Sequence, residues 1–214
     1  MGFNHNDHYH PLLLDQLPPG PGVALDVGCG SGRFARRLAA TGMHVEAIDR
    51  FGPMIDIAHA AGSPGPGTIS YRQADFLTEK LPTEAYDFVS CLASLHHVPF
   101  DTVTKLRDAL VPGGVLAVLG VGRPSSPADY ARSIVASPIN ALARAIVSAG
   151  ERLNGGIDPL PTAPIVETFP PMHRIRRDAA RLLPGSKVRN LLFYRYLLVY
   201  RKPETITPGD TPSG

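Results

Sequence analysis

The chain has 214 residues, 43% of them hydrophobic, and a formal net charge of +2, which suits one domain with a sizeable core. It contains no run of about 18 apolar residues and no secretory signal pattern, so we expect a cytoplasmic protein with no transmembrane helix. Acidic residues outnumber basic ones by 12 to 8 in residues 1–122, and basic residues outnumber acidic ones by 13 to 7 thereafter, which we interpret as a solvated basic face.

The first 22 residues precede the first predicted strand. Apolar residues within Tyr9–Leu17 can cover a sheet edge, and the run Pro18–Gly22 stops any helix there. Nearby histidines (His5, His8 and His10) lack the cysteine or carboxylate partners of a metal site, and no bound metal is expected.

The run Val23–Val27 has the short apolar pattern of a buried central strand. Three glycines at alternate positions, Gly28, Gly30 and Gly32, follow it, and Arg33–Ala40 has helical spacing. Glycine permits backbone angles that bring a ligand close to the main chain. The N–H groups at the start of the next helix favour an anionic or polar ligand group.

A second strand is predicted over His44–Asp49. Asp49 lies 21 residues beyond Gly28, the spacing at which a strand-end acid accepts hydrogen bonds from the ribose hydroxyls of an adenosine. An N-cap role for Asp49 is the alternative. Met54, in the first turn of the following helix, is predicted to pack against adenine.

Three more strands are predicted, over Thr68–Tyr71, Tyr86–Cys91 and Val115–Gly120. Asp75, at the end of the third strand, can accept a hydrogen bond from the adenine amino group or cap the following loop. A helix is predicted around residues 103–110, ended by Val111-Pro112-Gly113-Gly114.

The alternation of predicted strands and helices ends after residue 122. An amphipathic helix interrupted by Pro138 is predicted over 130–149, a proline-rich loop over 154–171 and a helix over 172–183. Two closing strands are predicted over 187–192 and 196–201, and residues 203–214 are predicted to be a disordered tail.

These motifs together resemble the class I S-adenosylmethionine-dependent methyltransferases. The resemblance rests on Asp26-x-Gly28-x-Gly30-x-Gly32, on Asp49, on Ala74-Asp75, on the sequence Ala93-Ser94-Leu95-His96-His97, and on Leu110-Val111-Pro112-Gly113-Gly114. It implies an α/β, doubly wound, seven-stranded sheet in the order 3-2-1-4-5-7-6, mostly parallel with antiparallel pairing at the C-terminal edge. It also implies a single domain over 1–202, in which 123–185 form a helical substrate-covering insert.

The resemblance implies an enzyme that moves the methyl group of S-adenosylmethionine to a small molecule by in-line displacement. The residues predicted to contact the cofactor are Asp26, Gly28, Cys29, Gly30, Gly32, Asp49, Arg50, Met54, Ala74, Asp75, Phe76 and Cys91. His97, and less strongly His96, are predicted to act as a general base, with packing and helix capping as the alternative. Tyr9 and His97 are predicted to contact the acceptor.

Other functions remain open at this point. Arg33 stands where the dinucleotide fingerprint Gly-x-Gly-x-x-Gly needs its third glycine, which disfavours an oxidoreductase. The Asn/Asp-Pro-Pro-Tyr signature of base methylation is absent, since Ser90-Cys91-Leu92-Ala93 stands there, so nucleic acid is not the expected acceptor. A nucleic-acid or protein methyltransferase, or a non-methylating protein on the same fold, is the alternative. The oligomeric state is not predicted.

Overall fold

A computed structural model describes residues 7–63, 65–92, 95, 98–125, 169–191 and 194–204. The described strands form one seven-stranded sheet: β1 (Val23–Val27), β2 (His44–Asp49), β3 (Thr68–Gln73), β4 (Tyr86–Leu92), β5 (Leu110–Val121), β6 (Lys187–Asn190) and β7 (Arg195–Arg201). Their order is β3-β2-β1-β4-β5-β7-β6. The pairs from β3 to β5 are parallel, and β7 is antiparallel to both β5 and β6. The predicted fold class and strand order are confirmed.

The described helices are α1 (His10–Leu14), α2 (Arg33–Ala40), α3 (Gly52–Ala60), α4 (Val103–Ala109) and α5 (Met172–Leu182), with short 3-10 turns at Asp7–Tyr9 and Phe100–Thr102. None of these helices has the length and apolar character that crossing a membrane requires. The helix predicted over 130–149 and the tail beyond 204 lie outside the described residues.

The sheet separates two apolar clusters, because successive side chains on a strand point to opposite faces. One face packs against α1 and α2 through residues such as Leu13, Phe34 and Leu197. The other packs against α4 and α5 through residues such as Leu106, Ile175 and Leu198. Both faces of the central strands are therefore covered, as parallel strands require.

The fifth strand begins earlier than the sequence predicts. Leu110 pairs with Tyr86, the register then shifts, and regular pairing resumes between Val115 and Phe88. The Gly113 N–H donates to the Lys202 carbonyl oxygen and the Lys202 N–H donates to the Gly114 carbonyl oxygen, both at 2.9 Å. The predicted Pro-Gly-Gly turn is thus held in the sheet as an irregularity of β5 by its bonds to the residue after β7.

Candidate functional site

The glycine turn lies at the carboxyl end of β1, where ligands bind in open α/β sheets. Gly28, Gly30 and Gly32 have positive φ angles of 71°, 53° and 72°. The N–H groups of Gly28 and Cys29 both donate to the carbonyl oxygen of Ile48, at 2.8 Å and 3.1 Å. The turn is therefore attached to the end of β2.

One side of this turn is open. A Cβ atom built on Gly30 meets no heavy atom within 4 Å, so the main chain at Gly30 is accessible to a bound molecule. This bare backbone above a parallel sheet, with carboxylates on the neighbouring strands, fits the ribose and amino-acid portions of S-adenosylmethionine.

The Asp49 carboxylate links the two strand ends. Its Oδ2 accepts a hydrogen bond from the Gly30 N–H at 2.8 Å, and its Oδ1 accepts one from the Phe51 N–H at 2.9 Å. The N-cap residue of α3 is Phe51, so Asp49 is not the helix cap that the alternative assigned. Each carboxylate oxygen accepts about two hydrogen bonds, which leaves acceptor capacity for ribose hydroxyls. The ribose role itself stays a prediction.

Asp26 lies beneath the turn with a side chain only 1% exposed. Its Oδ1 accepts a hydrogen bond of 2.7 Å from the Ser90 hydroxyl on β4, and its Oδ2 has no hydrogen-bond partner among the described residues. Burial raises the pKa of Asp26 to about 7 and the nearby Asp49 charge adds to this, while the Ser90 hydroxyl and the Ala35 amide partly offset it. A protonated Asp26 is thus accessible near neutral pH.

Two side chains support the glycine turn from behind, and the sequence analysis did not identify them. Arg36 Nη1 donates to the Ser31 carbonyl oxygen at 2.9 Å, and the Tyr71 hydroxyl lies 3.5 Å from the Gly32 carbonyl oxygen. A Cβ on Gly32 would overlap the Tyr71 hydroxyl. The third glycine is therefore required for packing, and its side faces the protein.

The other predicted contact residues follow the carboxyl ends of β2 and β3, at the same edge of the sheet as the glycine turn. Met54 is half-buried in the first turn of α3, while the Arg50 side chain is exposed. Asp75 is exposed, and its Oδ1 accepts a hydrogen bond from the Leu77 N–H at 2.9 Å. The capping role of Asp75 is thus present, and its adenine contact stays a prediction. The Ala74 N–H donates to the Asp49 carbonyl oxygen at 2.9 Å.

Several predicted contact residues belong to the apolar core. Phe76 and Cys91 are buried in the cluster against α4 and α5, and Lys105 Nζ lies 5.1 Å above the centre of the Phe76 ring. Tyr9 is 4% exposed and packs in the cluster against α1 and α2. Cys29 is half-buried, and burial raises the pKa of its thiol. Ligand contact by these residues remains a prediction.

His96 and His97 lie outside the described residues, and their base role is not tested. Leu95, the residue directly before them, is buried in the cluster against α4 and α5. Among the described residues no group of three His, Cys, Asp or Glu side chains is arranged to hold a metal ion.

Comparison with known proteins identifies the family. Residues 25–118 match the family described as "Methyltransferase domain". An uncharacterized methyltransferase of Mycobacterium tuberculosis is 34% identical over 209 residues, covering 94% of this chain and 98% of the relative. A ubiquinone biosynthesis O-methyltransferase of Xanthomonas oryzae is 32% identical over 135 residues, or 59% of this chain and 55% of the relative. The chain thus spans about half the length of that second relative.

Solved structures share the fold. A SAM-dependent methyltransferase from Methanosarcina mazei has a TM-score of 0.57 at 20% identity and covers 91% of this chain and 98% of that one. Phosphoethanolamine N-methyltransferase 2 of Haemonchus contortus, in complex with phosphomonomethylethanolamine and S-adenosylhomocysteine, has a TM-score of 0.63 at 15% identity and covers 92% of this chain and 53% of that one. With the near full-length relative, the matched domain and the strand order taken together, this chain belongs to the class I S-adenosylmethionine-dependent methyltransferases.

Proposed function

We propose that this enzyme methylates a small molecule in the cytoplasm, at an oxygen, nitrogen or carbon nucleophile. S-adenosylmethionine supplies a methyl group already activated by its positively charged sulfur. The protein then has to align the acceptor with that methyl group and exclude water. Alignment of the two reacting groups can by itself lower the barrier by roughly 7 to 11 kcal/mol in the best intramolecular cases.

The residues that would hold the cofactor follow the strand ends. The main chain at Gly28 and Gly30, which is open at Gly30, would lie along its amino-acid portion, and Asp49 would accept hydrogen bonds from its ribose. Met54 and Asp75 would contact its adenine. The Asp49–Gly30 bond of 2.8 Å orders this part before the cofactor arrives, which lowers the entropy cost of binding.

The observation that carries the small-molecule assignment is the chemistry at the end of β4. The sequence Ser90-Cys91-Leu92-Ala93 replaces the proline-aromatic platform on which a methylated base stacks. Cys91 is buried and Leu92 is half-buried, so this strand end is apolar. The partial likeness to ubiquinone biosynthesis O-methyltransferases supports the same acceptor class.

His97 is proposed as the general base when the acceptor is a hydroxyl or an ammonium group, since an imidazole can take a proton near neutral pH. Residues 1–15 and 123–185 are proposed to cover the acceptor, with Tyr9 in contact with it. Inserts after the fifth strand lie at the carboxyl ends of the strands, where ligands bind in this type of sheet.

Methyl-transfer assays test the proposal. The purified full chain would be incubated with radiolabelled S-adenosylmethionine and separate pools of phenols, amines, carboxylic acids, tRNA, DNA and protein. We expect label in a small-molecule pool together with release of S-adenosylhomocysteine. Label in nucleic acid or protein would overturn the acceptor class, and tight S-adenosylhomocysteine binding with no transfer to any pool would indicate a non-methylating protein.

A further inference from the structure

Arg195 begins β7 and lies at the same edge of the sheet as the glycine turn. It pairs with Val121, the last residue of β5, and because β7 runs antiparallel to β5, its first residue lies where the parallel strands end. Neighbouring strands are about 4.8 Å apart, which places β7 about 10 Å from β4 and about 14 Å from β1. Arg195 is therefore at the rim beyond β4 and β5.

The strand alternation puts Arg195 on the face that carries the cofactor-side acids. Arg195 shares a face with Leu197, which packs in the cluster against α1 and α2. Asp26 shares that face with Ala24, and Asp49 shares it with Ala47. Tyr9 packs in the same cluster, and its electrostatic effect on Arg195 places the two side chains near each other.

Arg195 is half-buried, and none of the acidic side chains in the described residues forms an ion pair with it. Its Nε is buried and makes no hydrogen bond in the described part of the chain. Tyr9 is close enough to influence it, but a phenol is uncharged at neutral pH. Folded proteins pair buried charges because an unpaired one is costly.

We propose that Arg195 binds an oxyanion, a carboxylate or a phosphate, carried by the acceptor. The planar guanidinium donates in a fork that matches both groups. The anion would sit toward β7, away from the atom that receives the methyl group near β4. This inference rests on the proposed function, because it assumes that the molecule bound beside the cofactor is the acceptor.

Calorimetry on the full chain saturated with S-adenosylhomocysteine tests the proposal without turnover. The probes are two matched pairs: 3,4-dihydroxybenzoate with catechol, and phenyl phosphate with phenol. We expect at least one anionic probe to bind roughly 10- to 100-fold more tightly than its neutral partner, and the pair that discriminates identifies the anion. Arg195→Gln should remove this preference.

Arg201 provides the matched control. It lies on the same face of β7 at the opposite edge, paired with Val115, and is exposed. Arg201→Gln should keep the anion preference, and S-adenosylhomocysteine affinity should stay within about twofold of wild type in both variants. Arg195→Met should melt at or above the wild-type temperature, because it removes a half-buried cation whose Nε lacks a hydrogen bond and breaks no ion pair seen among the described residues.

Several results would overturn the proposal: equal binding of the anionic and neutral probes, an anion preference that survives Arg195→Gln, or a melting temperature that falls in Arg195→Met. Loss of S-adenosylhomocysteine affinity in Arg195→Gln would instead assign Arg195 to the cofactor. An Arg195-dependent anion preference with no methyl transfer to any small molecule would reject the proposed function and keep the anion site. Methyl transfer to neutral acceptors that is unchanged in Arg195→Gln would reject the anion site and keep the proposed function.

Discussion

The two halves of the sheet's carboxyl edge differ in how far the chain satisfies its own polar groups. At the ends of β1 and β2, the Asp49 carboxylate uses both oxygens on main-chain N–H groups, and the turn donates twice to Ile48. At the end of β5 and the start of β7, the buried Nε of Arg195 has no hydrogen bond within the described residues.

This difference separates a part that is organised in advance from the part where we propose that the anion of the acceptor binds. A preformed hydrogen-bond frame reduces the ordering cost of binding, which suits a cofactor common to the whole family. The half-buried Arg195 would gain a charge partner only when a matching ion binds, which would favour an anionic acceptor over its neutral analogues. The ends of β1 and β2, where we propose that the cofactor binds, accordingly contain the sequence motifs, and Arg195 at the start of β7 belongs to none of them.

The largest expected effect concerns the acceptor half. If His97 takes a proton from the acceptor, His97→Ala should lower turnover by roughly 10²- to 10⁴-fold and leave the calorimetric affinity for S-adenosylhomocysteine near wild type. His96→Ala is the comparison variant, because we expect His97 rather than His96 to take the proton. Equal and modest losses in both variants, accompanied by lower melting temperatures, would show that the pair is structural.

The elements of the cofactor half could be predicted closely from sequence because each has a local cause. The apolar runs Val23–Val27 and His44–Asp49 and the helix Arg33–Ala40 have the bounds that the pattern predicts. The position of Asp49 at the end of a strand could also be predicted, because its strand, the glycine turn and the spacing from Gly28 to Asp49 all lie in one continuous stretch of sequence.

Pairings across the sheet could not be read in this way. The Ser90–Asp26 bond requires β4 to lie beside β1 with these two residues in register, and the support of Gly32 by Tyr71 joins positions 39 residues apart. No sequence motif marks Arg195 as a binding residue, because the lack of a hydrogen-bond partner is visible only when the residues around it are known. The strand order implied by the family resemblance, applied residue by residue, could have identified the Ser90–Asp26 pair.

A second prediction concerns the pH dependence of stability. Burial raises the pKa of Asp26 in the folded state to about 7 from its ordinary value of 3.8, so the folded chain binds more protons than the unfolded chain between these values. Stability should therefore fall as pH rises from about 4 to about 7, by an amount on the order of 4 kcal/mol, and level off above that range. Thermal unfolding across this range measures the slope.

Two variants sharpen this measurement. Asp26→Asn removes the titrating group and should largely abolish the slope. Ser90→Ala removes the hydroxyl that donates to Asp26 Oδ1 and should extend the decline above pH 7, because it raises the pKa further. A wild-type slope that persists in Asp26→Asn would assign the pH dependence to other groups.

A third prediction concerns the Asp49 frame. Asp49→Ala leaves the Gly30 and Phe51 N–H groups without their acceptor and removes the proposed ribose partner. S-adenosylhomocysteine affinity should fall by about 1–3 kcal/mol, measured by calorimetry, with a lower melting temperature. Asp75→Ala removes an exposed acid at the next strand end and should cost less. Wild-type affinity in a folded Asp49→Ala protein would contradict the ribose role.

The smallest expected effect separates ligand contact from backbone strain. Gly30 and Gly20 both have positive φ, 53° and 86°, and a Cβ on either meets nothing within 4 Å. A non-glycine residue in this conformation costs about 1–2 kcal/mol, so Gly30→Ala and Gly20→Ala should destabilise the fold by similar amounts. Only the Gly30 Cβ would occupy the space beside Asp49 where the cofactor is expected. S-adenosylhomocysteine affinity should therefore fall about tenfold in Gly30→Ala and stay unchanged in Gly20→Ala, and equal affinities in both variants would show that the open side of the turn is not the ligand site.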